Sequence, residues 1–597
     1  MNRLESLLRA GTARSAVWLD NGEHIAFVRT GESGPRVNEM DLSTGEIRQR
    51  TFGDERIWSI KGHPQTGSIL FCMDEREQIY LLERDSDTPR DLTGEPDARH
   101  FLAGLTPDGR TLAYASNART PETFDLWVCD VTTGEKKMVL ENHDHYNWPA
   151  GDALSPNGRY VLYNKLLGTS DNALWMLDLL TGEAVRVPAD EKVSAEVNPT
   201  WRHDSAGFFL VTDRDSEYPY VAYYDVAAGA MEKRFAFPWE VDNLALSADD
   251  RYLAMTVNED SYLVLRIIDL AAGVEANFPQ PPKGVVSNYD TLSWSPVGHK
   301  LLFSLSSGKR PENIWLLDLD GDSLSPLTRS DLHGLSADDL CEPRLMHFTS
   351  FDGLEVPFWL YVPRGKEAKD LPVVVEIHGG PEGQEMASFT PFIQYLVGEG
   401  VAVAAPNVRG STGYGKTYSH LDDVEKRLDS VKDIGSLVEY LVREGIANKD
   451  RLAVTGMSYG GFMTLSCATR LPELWCCAID TVGMYNLETF LENTAEYRRA
   501  HRETEYGSLA HHRQILREVS PIAKIDDIQA PLMVIQGRND PRVPAEEAEQ
   551  VVETLRSRNH EVEYICYEDE GHGISKMKNQ LDCYPRMAAF LKAHMGL

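Results

Sequence analysis

A repeat governs the first half of the sequence. Seven times, a turn built from Gly, Asn, Asp or Ser introduces an apolar strand, a polar stretch and a second apolar strand. In six of the seven units that second strand ends on Asp. Pro156-Asn157-Gly158, for example, leads to YVLY and LWMLD, and Pro296-Val297-Gly298 leads to LLFS and IWLLD. The turns recur at positions 22, 67, 109, 158, 205, 250 and 298, a spacing of 42 to 49 residues. A unit of that length holds about four short strands and buries its apolar faces only by stacking on copies of itself, as a propeller blade does. Seven in-phase units predict seven blades, and an irregular β-sandwich would not repeat in this way. The alternation of apolar and polar residues predicts half-buried antiparallel sheet. The propeller is expected over residues 12–340. Before it, residues 1–11 form a short amphipathic helix with Leu4, Leu7 and Leu8 on one face.

The pattern changes after Pro343. HFTSFDG and PFWLYV read as a leading pair of strands. Apolar strands then alternate with helical stretches: Val373–Ile377, Val401–Ala405, Leu452–Val454, Cys476–Ile479, Leu532–Ile535 and Val562–Cys566, with helices such as Val431–Glu444 and Ala545–Arg558 between them. Strand–helix alternation gives a mostly parallel sheet covered on both faces. The expected architecture is therefore two-domain: a seven-bladed β-propeller followed by an α/β-hydrolase domain over 341–597.

The chemistry is concentrated in this second part. Gly456-Met457-Ser458-Tyr459-Gly460 stands between the fifth strand and a helix, the context of a nucleophile elbow. There a Ser sits on a sharp turn with its hydroxyl lifted clear of the sheet, and the backbone N–H of the next residue, Tyr459, is free to face an oxyanion. A Ser nucleophile needs a base, and the base needs an orienting carboxylate. The loops after the seventh and eighth strands supply Asp540 and His572, the latter between two glycines. Asp526 and Asp527 precede the seventh strand, Asp569 is too near His572 in sequence and Asp582 follows it, which leaves Asp540 as the expected acid. A second oxyanion donor is expected after the third strand, where His378-Gly379-Gly380-Pro381 stands.

Composition excludes several other classes. Lys and Arg total 59 against 92 Asp and Glu, a net charge of −33. A surface that acidic argues against a nucleic-acid partner, which would need basic patches. No apolar run reaches the about 18 residues of a membrane span, and the N-terminus shows no secretory pattern. The eight cysteines are scattered without a C-x-x-C pair, as in a reduced cytoplasmic protein without structural zinc. Neither a metal nor an organic cofactor is expected.

Taken together, HGGP (378–381), NVRGS with GYG (407–415), GMSYGG (456–461), DPRVP (540–544) and DEGHG (569–573) resemble the prolyl oligopeptidase family of serine peptidases. The resemblance covers almost the whole chain. His378 stands where prolyl oligopeptidases and dipeptidyl-peptidases carry Tyr, which is similar to the acylaminoacyl-peptidase branch. That branch implies an oxyanion hole formed by the N–H groups of Gly380 and Tyr459. The propeller offers no Glu-Glu pair as an anchor for a free amine, and Glu546-Glu547 reads as a solvated helix face. The family further implies that Arg542 binds a substrate carbonyl or carboxylate, or else joins a surface ion pair. It also implies an S1 pocket in the insert after the sixth strand, where Phe490, Leu491 and Tyr497 are candidates or else core residues. Asp213-Arg214-Asp215 reads as a loop network. The expected function is a serine peptidase acting on short peptides, of acylaminoacyl-peptidase or oligopeptidase type, with a propeller that limits substrate size and a homo-oligomer left open. The same residues would serve an esterase. A propeller scaffold with an inert hydrolase domain would not need an intact triad.

Overall fold

The seven repeats become seven antiparallel sheets, within residues 12–49, 57–91, 100–140, 147–187, 196–235, 240–275 and 285–326 of the computed structural model. Six hold four strands in sequence order and the seventh holds five. The structure describes residues 2–597 apart from 32, 33, 54, 64, 75, 144–146, 169, 170 and 289; at 147–152, 496, 497 and 500 it describes the backbone alone. All seven turn positions have positive φ, from 59° at Ser205 to 87° at Gly22. Five are glycines, for which this conformation carries no Cβ penalty. The Asp residues that end the strands close the next turn. Asp41 Oδ1 accepts the N–H groups of Ser43 and Thr44 at 2.7 and 3.0 Å, and Asp269 Oδ1 accepts those of Ala271 and Ala272 at 3.0 Å each. The Ser43 hydroxyl, helped by these amides, holds the Asp41 carboxyl down at about 2.

The strands are more deeply buried than alternation predicts. Gly207–Thr212 is buried at every position. The cause is that each sheet is covered on both faces. Ile69 and Phe71 of the second sheet join Val17 and Val28 of the first, whereas Leu70 and Cys72, pointing the other way, join Leu112 and Tyr114 of the third. The ring closes where Trp18 and Phe27 meet Leu302 and Ile314, and the Trp18 indole N–H donates to Ser293 O at 2.8 Å.

The C-terminal sheet has eight strands: Arg344–Thr349, Glu355–Tyr361, Leu371–Ile377, Ala402–Pro406, Ala447–Met457, Cys477–Thr481, Leu532–Gly537 and Val562–Tyr567. Their order across the sheet is 1-2-4-3-5-6-7-8. The second strand is antiparallel to the first and fourth, and the others run parallel. Parallel strands need helices on both faces. The helix Asp429–Arg443 lays Val431, Ile434, Leu437, Val438 and Leu441 into the core on one stripe.

Compactness divides the chain after Asp331 rather than at 340. One unit comprises Ala10–Ser307 and Pro311–Asp331; the other comprises the residues up to Arg9, Gly308–Arg310 and Leu332–Leu597. The N-terminal helix, Arg3–Arg9, is thus not a segment on its own. Its Arg3 guanidinium donates to Asp339 O at 2.9 Å and its Ser6 hydroxyl to His333 O at 3.1 Å.

Candidate active site

The fifth strand ends at Met457 and the helix Tyr459–Arg470 begins two residues on, so Ser458 makes the whole turn, with φ 61° and ψ −116°. An L-residue adopts such a backbone only when its surroundings impose it. Here the glycines are sterically required. A Cβ on Gly456 would lie 2.4 Å from Gly460 O, one on Gly460 2.0 Å from Ile377 O, and one on Gly461 2.4 Å from Asp480 Oδ1. Ser458 N–H donates to Thr481 O at 2.9 Å and its carbonyl accepts Phe462 N–H at 3.0 Å. Ser458 is half-buried beside Met457, which is 43% exposed. The N–H groups of Tyr459 to Gly461 open the helix and have no acceptor within it.

Asp540 and His572 form a pair. His572 Nδ1–H donates to Asp540 Oδ2 at 2.7 Å, while Asp540 Oδ1 accepts the N–H groups of Arg542 and Val543 at 2.8 and 3.0 Å. The Asp540 side chain is fully buried and that of His572 12% exposed. Gly573 has φ 105°, and a Cβ there would lie 3.1 Å from Met457 Sδ, so the His572 loop reaches the residue before Ser458. The other carboxylates of the region are engaged elsewhere: Asp526 with Arg558, Asp527 with Lys524, Asp569 with Lys576 and Lys578, and Asp582 with Tyr567.

The loop after the third strand approaches from the opposite side. A Cβ on Gly379 would be 3.6 Å from Ser458 Cβ. Gly380 has φ 142°, and a Cβ there would meet Glu382 N at 2.7 Å, so only glycine fits. His378 is held at both nitrogens, Nδ1 by Gly379 O and Nε2 by Ser411 Oγ, each at 2.8 Å. Burial holds its pKa below the usual imidazole value. The NVRGS motif frames this loop. Asn407 accepts Glu385 N–H at 2.7 Å and donates to Glu385 O at 3.0 Å, and Thr412 N–H donates to Gly383 O at 3.0 Å. Arg409 in turn is clamped by Asp352 and Asp433.

Several residues stand elsewhere than the sequence suggests. Phe490 and Leu491 are 4% and 0% exposed and belong to the hydrophobic core, on the inner face of the helix Leu487–Asn493. Leu491 has no surface, and Phe490 very little, to offer an S1 pocket. Tyr497 lies on the helix Glu496–Tyr506, and its side chain is outside the described residues. Glu547 is not solvated: only 1% exposed, its Oε2 accepts the N–H groups of Tyr485 and Asn486 at 3.0 and 2.8 Å, and burial pushes its carboxyl up to about 6. Arg542 is exposed beside Asp540. Arg214 and Asp215 bind Asp190 and Lys192, a loop network as expected.

Two features carried no sequence signal. Asp480, on the sixth strand behind the elbow, is sealed from solvent, and burial, opposed by Gly483 N–H, pushes it up to about 7. Asp422, Asp423 and Glu505 gather closely enough to share a cation. Arg427, itself buried, already places its guanidinium on Asp422 and Glu505.

Sheet order, elbow and the histidine–aspartate pair define an α/β-hydrolase of the serine type, preceded by a seven-bladed propeller. Residues 387–597 match the prolyl oligopeptidase family, a family of serine-type peptidases. The chain is 26% identical over 594 residues to dipeptidyl aminopeptidase BIII of Pseudoxanthomonas mexicana, covering 95% of this chain and 78% of that one. It is 25% identical over 321 residues to the acylamino-acid-releasing enzyme of Homo sapiens, covering 52% and 43%. In fold it matches a puromycin-hydrolysing peptidase of Mycobacterium tuberculosis with a TM-score of 0.87, over 100% of this chain and 96% of that one, at 20% identity. Among the described residues no helix is long and apolar enough to cross a membrane.

Proposed function

We propose that Ser458 is the nucleophile, His572 the base and Asp540 the group that fixes its tautomer. Ser458 Oγ attacks the substrate carbonyl as its proton passes to His572 Nε2. The oxyanion is held by the N–H groups of Tyr459 and Gly380. His572 returns the proton to the leaving amine, and water, activated the same way, hydrolyses the acyl-enzyme. The observation that carries this reading is the backbone of Ser458, held at φ 61° and ψ −116°, a strained conformation for a non-glycine residue of the kind that clusters at active sites. The substrates are short peptides, in the manner of an acylaminoacyl-peptidase or oligopeptidase, with Arg542 binding a peptide carbonyl. Eight free cysteines support a cytoplasmic location.

The similarity to a dipeptidyl aminopeptidase along nearly the whole chain favours a second reading, in which the substrate keeps a free amino terminus. One experiment tests both. A library of free and N-acetylated peptides of graded length is digested by the wild type and by Ser458→Ala. Cleavage two residues from free termini selects the second reading, and release of acetylated residues selects the first. Undiminished turnover by Ser458→Ala would overturn both.

A further inference from the structure

The residue after the nucleophile is tied down by its side chain. Tyr459 is completely buried, and its hydroxyl donates to Asp422 Oδ2 at 2.9 Å, with Ser430 Oγ at 3.1 Å. Arg427 lies over the rings of Tyr459 and Tyr506, 5.5 and 4.8 Å from their centroids, and bonds Asp422 on one side and Glu505 on the other. Glu505 also receives Arg427 through its backbone carbonyl, at 3.0 Å. On the same helix, Glu496–Tyr506, Arg502 stands three residues before Glu505 and pairs with Glu382 at 3.4 Å. Glu382 is two residues beyond Gly380. A chain of contacts thus runs from Tyr459 through Asp422 and Arg427 to the Glu505 helix, and from that helix through Arg502 and Glu382 to the HGGP loop.

Such an arrangement is expensive to bury as a structural device alone, because desolvating paired charges offsets much of their attraction. What it provides is a fixed distance between two backbone elements. We propose that Asp422, Arg427 and Glu505 are positioning residues that hold both oxyanion donors, Tyr459 by its phenol and the Gly380 loop through the Arg502–Glu382 pair on the helix that Glu505 anchors. The inference rests on the reading of those two N–H groups as the oxyanion hole. A displacement of about 1 Å at such a donor costs on the order of a hundredfold in rate, so the effect is catalytic although none of these carboxylates touches substrate.

Tyr459→Phe removes one hydroxyl and keeps the ring and the N–H; Glu382→Gln loosens the other arm and keeps its shape. Each is measured with a chromogenic substrate the wild type turns over, and active sites are counted with a fluorophosphonate. Affinity for a peptide boronic acid, whose tetrahedral adduct occupies the oxyanion hole, is measured in parallel. The expected result is a kcat per labelled site lowered about 10- to 100-fold in Tyr459→Phe, as for partial loss of an oxyanion donor, with KM within about threefold. Boronate affinity falls in step with kcat, and the double variant loses little more than the worse single one, since both act through one assembly. A purely structural role would lower Tm and the number of labelled sites and leave kcat per site within about twofold; that result overturns the proposal. If Tyr459→Phe does not fold, Glu382→Gln decides by the same ratio. A wild type that is not labelled, or a Ser458→Ala enzyme that still turns over, would instead remove the serine mechanism itself.

Discussion

Replacing Asp540 by Asn leaves the size of the side chain unchanged and reverses its hydrogen bonding at one atom. In the structure Oδ1 accepts two backbone N–H groups, from Arg542 and Val543, and Oδ2 accepts Nδ1–H of His572. The carboxamide has one acceptor and one donor. Turned so that its NH2 faces Arg542 and Val543, it would set donors against two N–H groups, that of Val543 buried, and lose two bonds of about 1 kcal/mol each, with a further penalty for the unsatisfied donors. It therefore keeps its oxygen on the amides and points its NH2 at His572 Nδ1. That nitrogen must then accept, so the proton moves to Nε2, and the atom that should take the Ser458 proton already carries one. The expected loss is about 10⁴ in kcat, or about 5.5 kcal/mol of barrier, with KM little changed and Tm within a few degrees. Steady-state kinetics on a peptide substrate, with the variant's folding checked by thermal melting, measures it. A folded Asp540→Asn enzyme within tenfold of wild type would refute the assignment of Asp540 as the group that sets the His572 tautomer.

Two further predictions follow from named side chains. Arg542 is exposed on the loop that carries Asp540, where a charge-assisted bond to a peptide carbonyl is worth roughly 1.5–3 kcal/mol. Arg542→Ala should depress kcat/KM for peptides about 10- to 100-fold and that for p-nitrophenyl acetate far less; an equal loss on both would place the effect in Asp540, and no loss on either would end the binding role. Asp480 titrates at about 7 in the folded chain against an ordinary 3.8. A carboxyl raised on folding stabilises most below its unfolded value, and that contribution is lost as pH rises through its folded one. The Tm of Asp480→Asn relative to wild type should therefore rise between pH 4 and 8, by the equivalent of at most about 4 kcal/mol at about 1.4 kcal/mol per unit. Parallel Tm curves would show that Asp480 does not titrate there.

What could be read from the sequence was what local chemistry decides. Turn glycines, the Asp that closes the following turn, and the strand–Ser–helix junction each announce themselves within a few residues. Element ends were less legible, for physical reasons. The fifth strand begins at Ala447 rather than Leu452, a start the sequence hides because Asn448 to Arg451 are polar and none of them is buried. The start of the following helix, at Tyr459, is hidden because the two elbow glycines, poor helix formers, sit in its first turn. Glu547 was within reach: it shares a helical face with Ala548, Val551, Val552 and Leu555, all buried, while Glu546 points outward. Asp422, Arg427 and Glu505 were not, since three charged residues separated by up to 83 positions give no pattern until the fold brings them together.

The elbow shows why its rigidity and its chemistry have one origin. A backbone such as that of Ser458 costs on the order of 1–3 kcal/mol and persists only where its neighbours over-determine it. The fifth strand is paired on both sides up to the turn, Gly456 with Ile377 of the third strand and Met457 with Thr481 of the sixth. The helix that leaves the turn is buried from Tyr459 to Thr469. Ser458 cannot relax without breaking its bond to Thr481 O or pulling that helix from the core. Each of these constraints also fixes a direction. Pairing with the third strand brings the HGGP loop alongside the turn, and burial of the helix start fixes the orientation of the Tyr459 backbone. A Ser relaxed into an ordinary helical or extended conformation would lose the strain and the alignment together. On the mechanism proposed above, the strain is thus retained because the contacts that enforce it are the same ones that would orient Ser458 and the Tyr459 and Gly380 N–H groups.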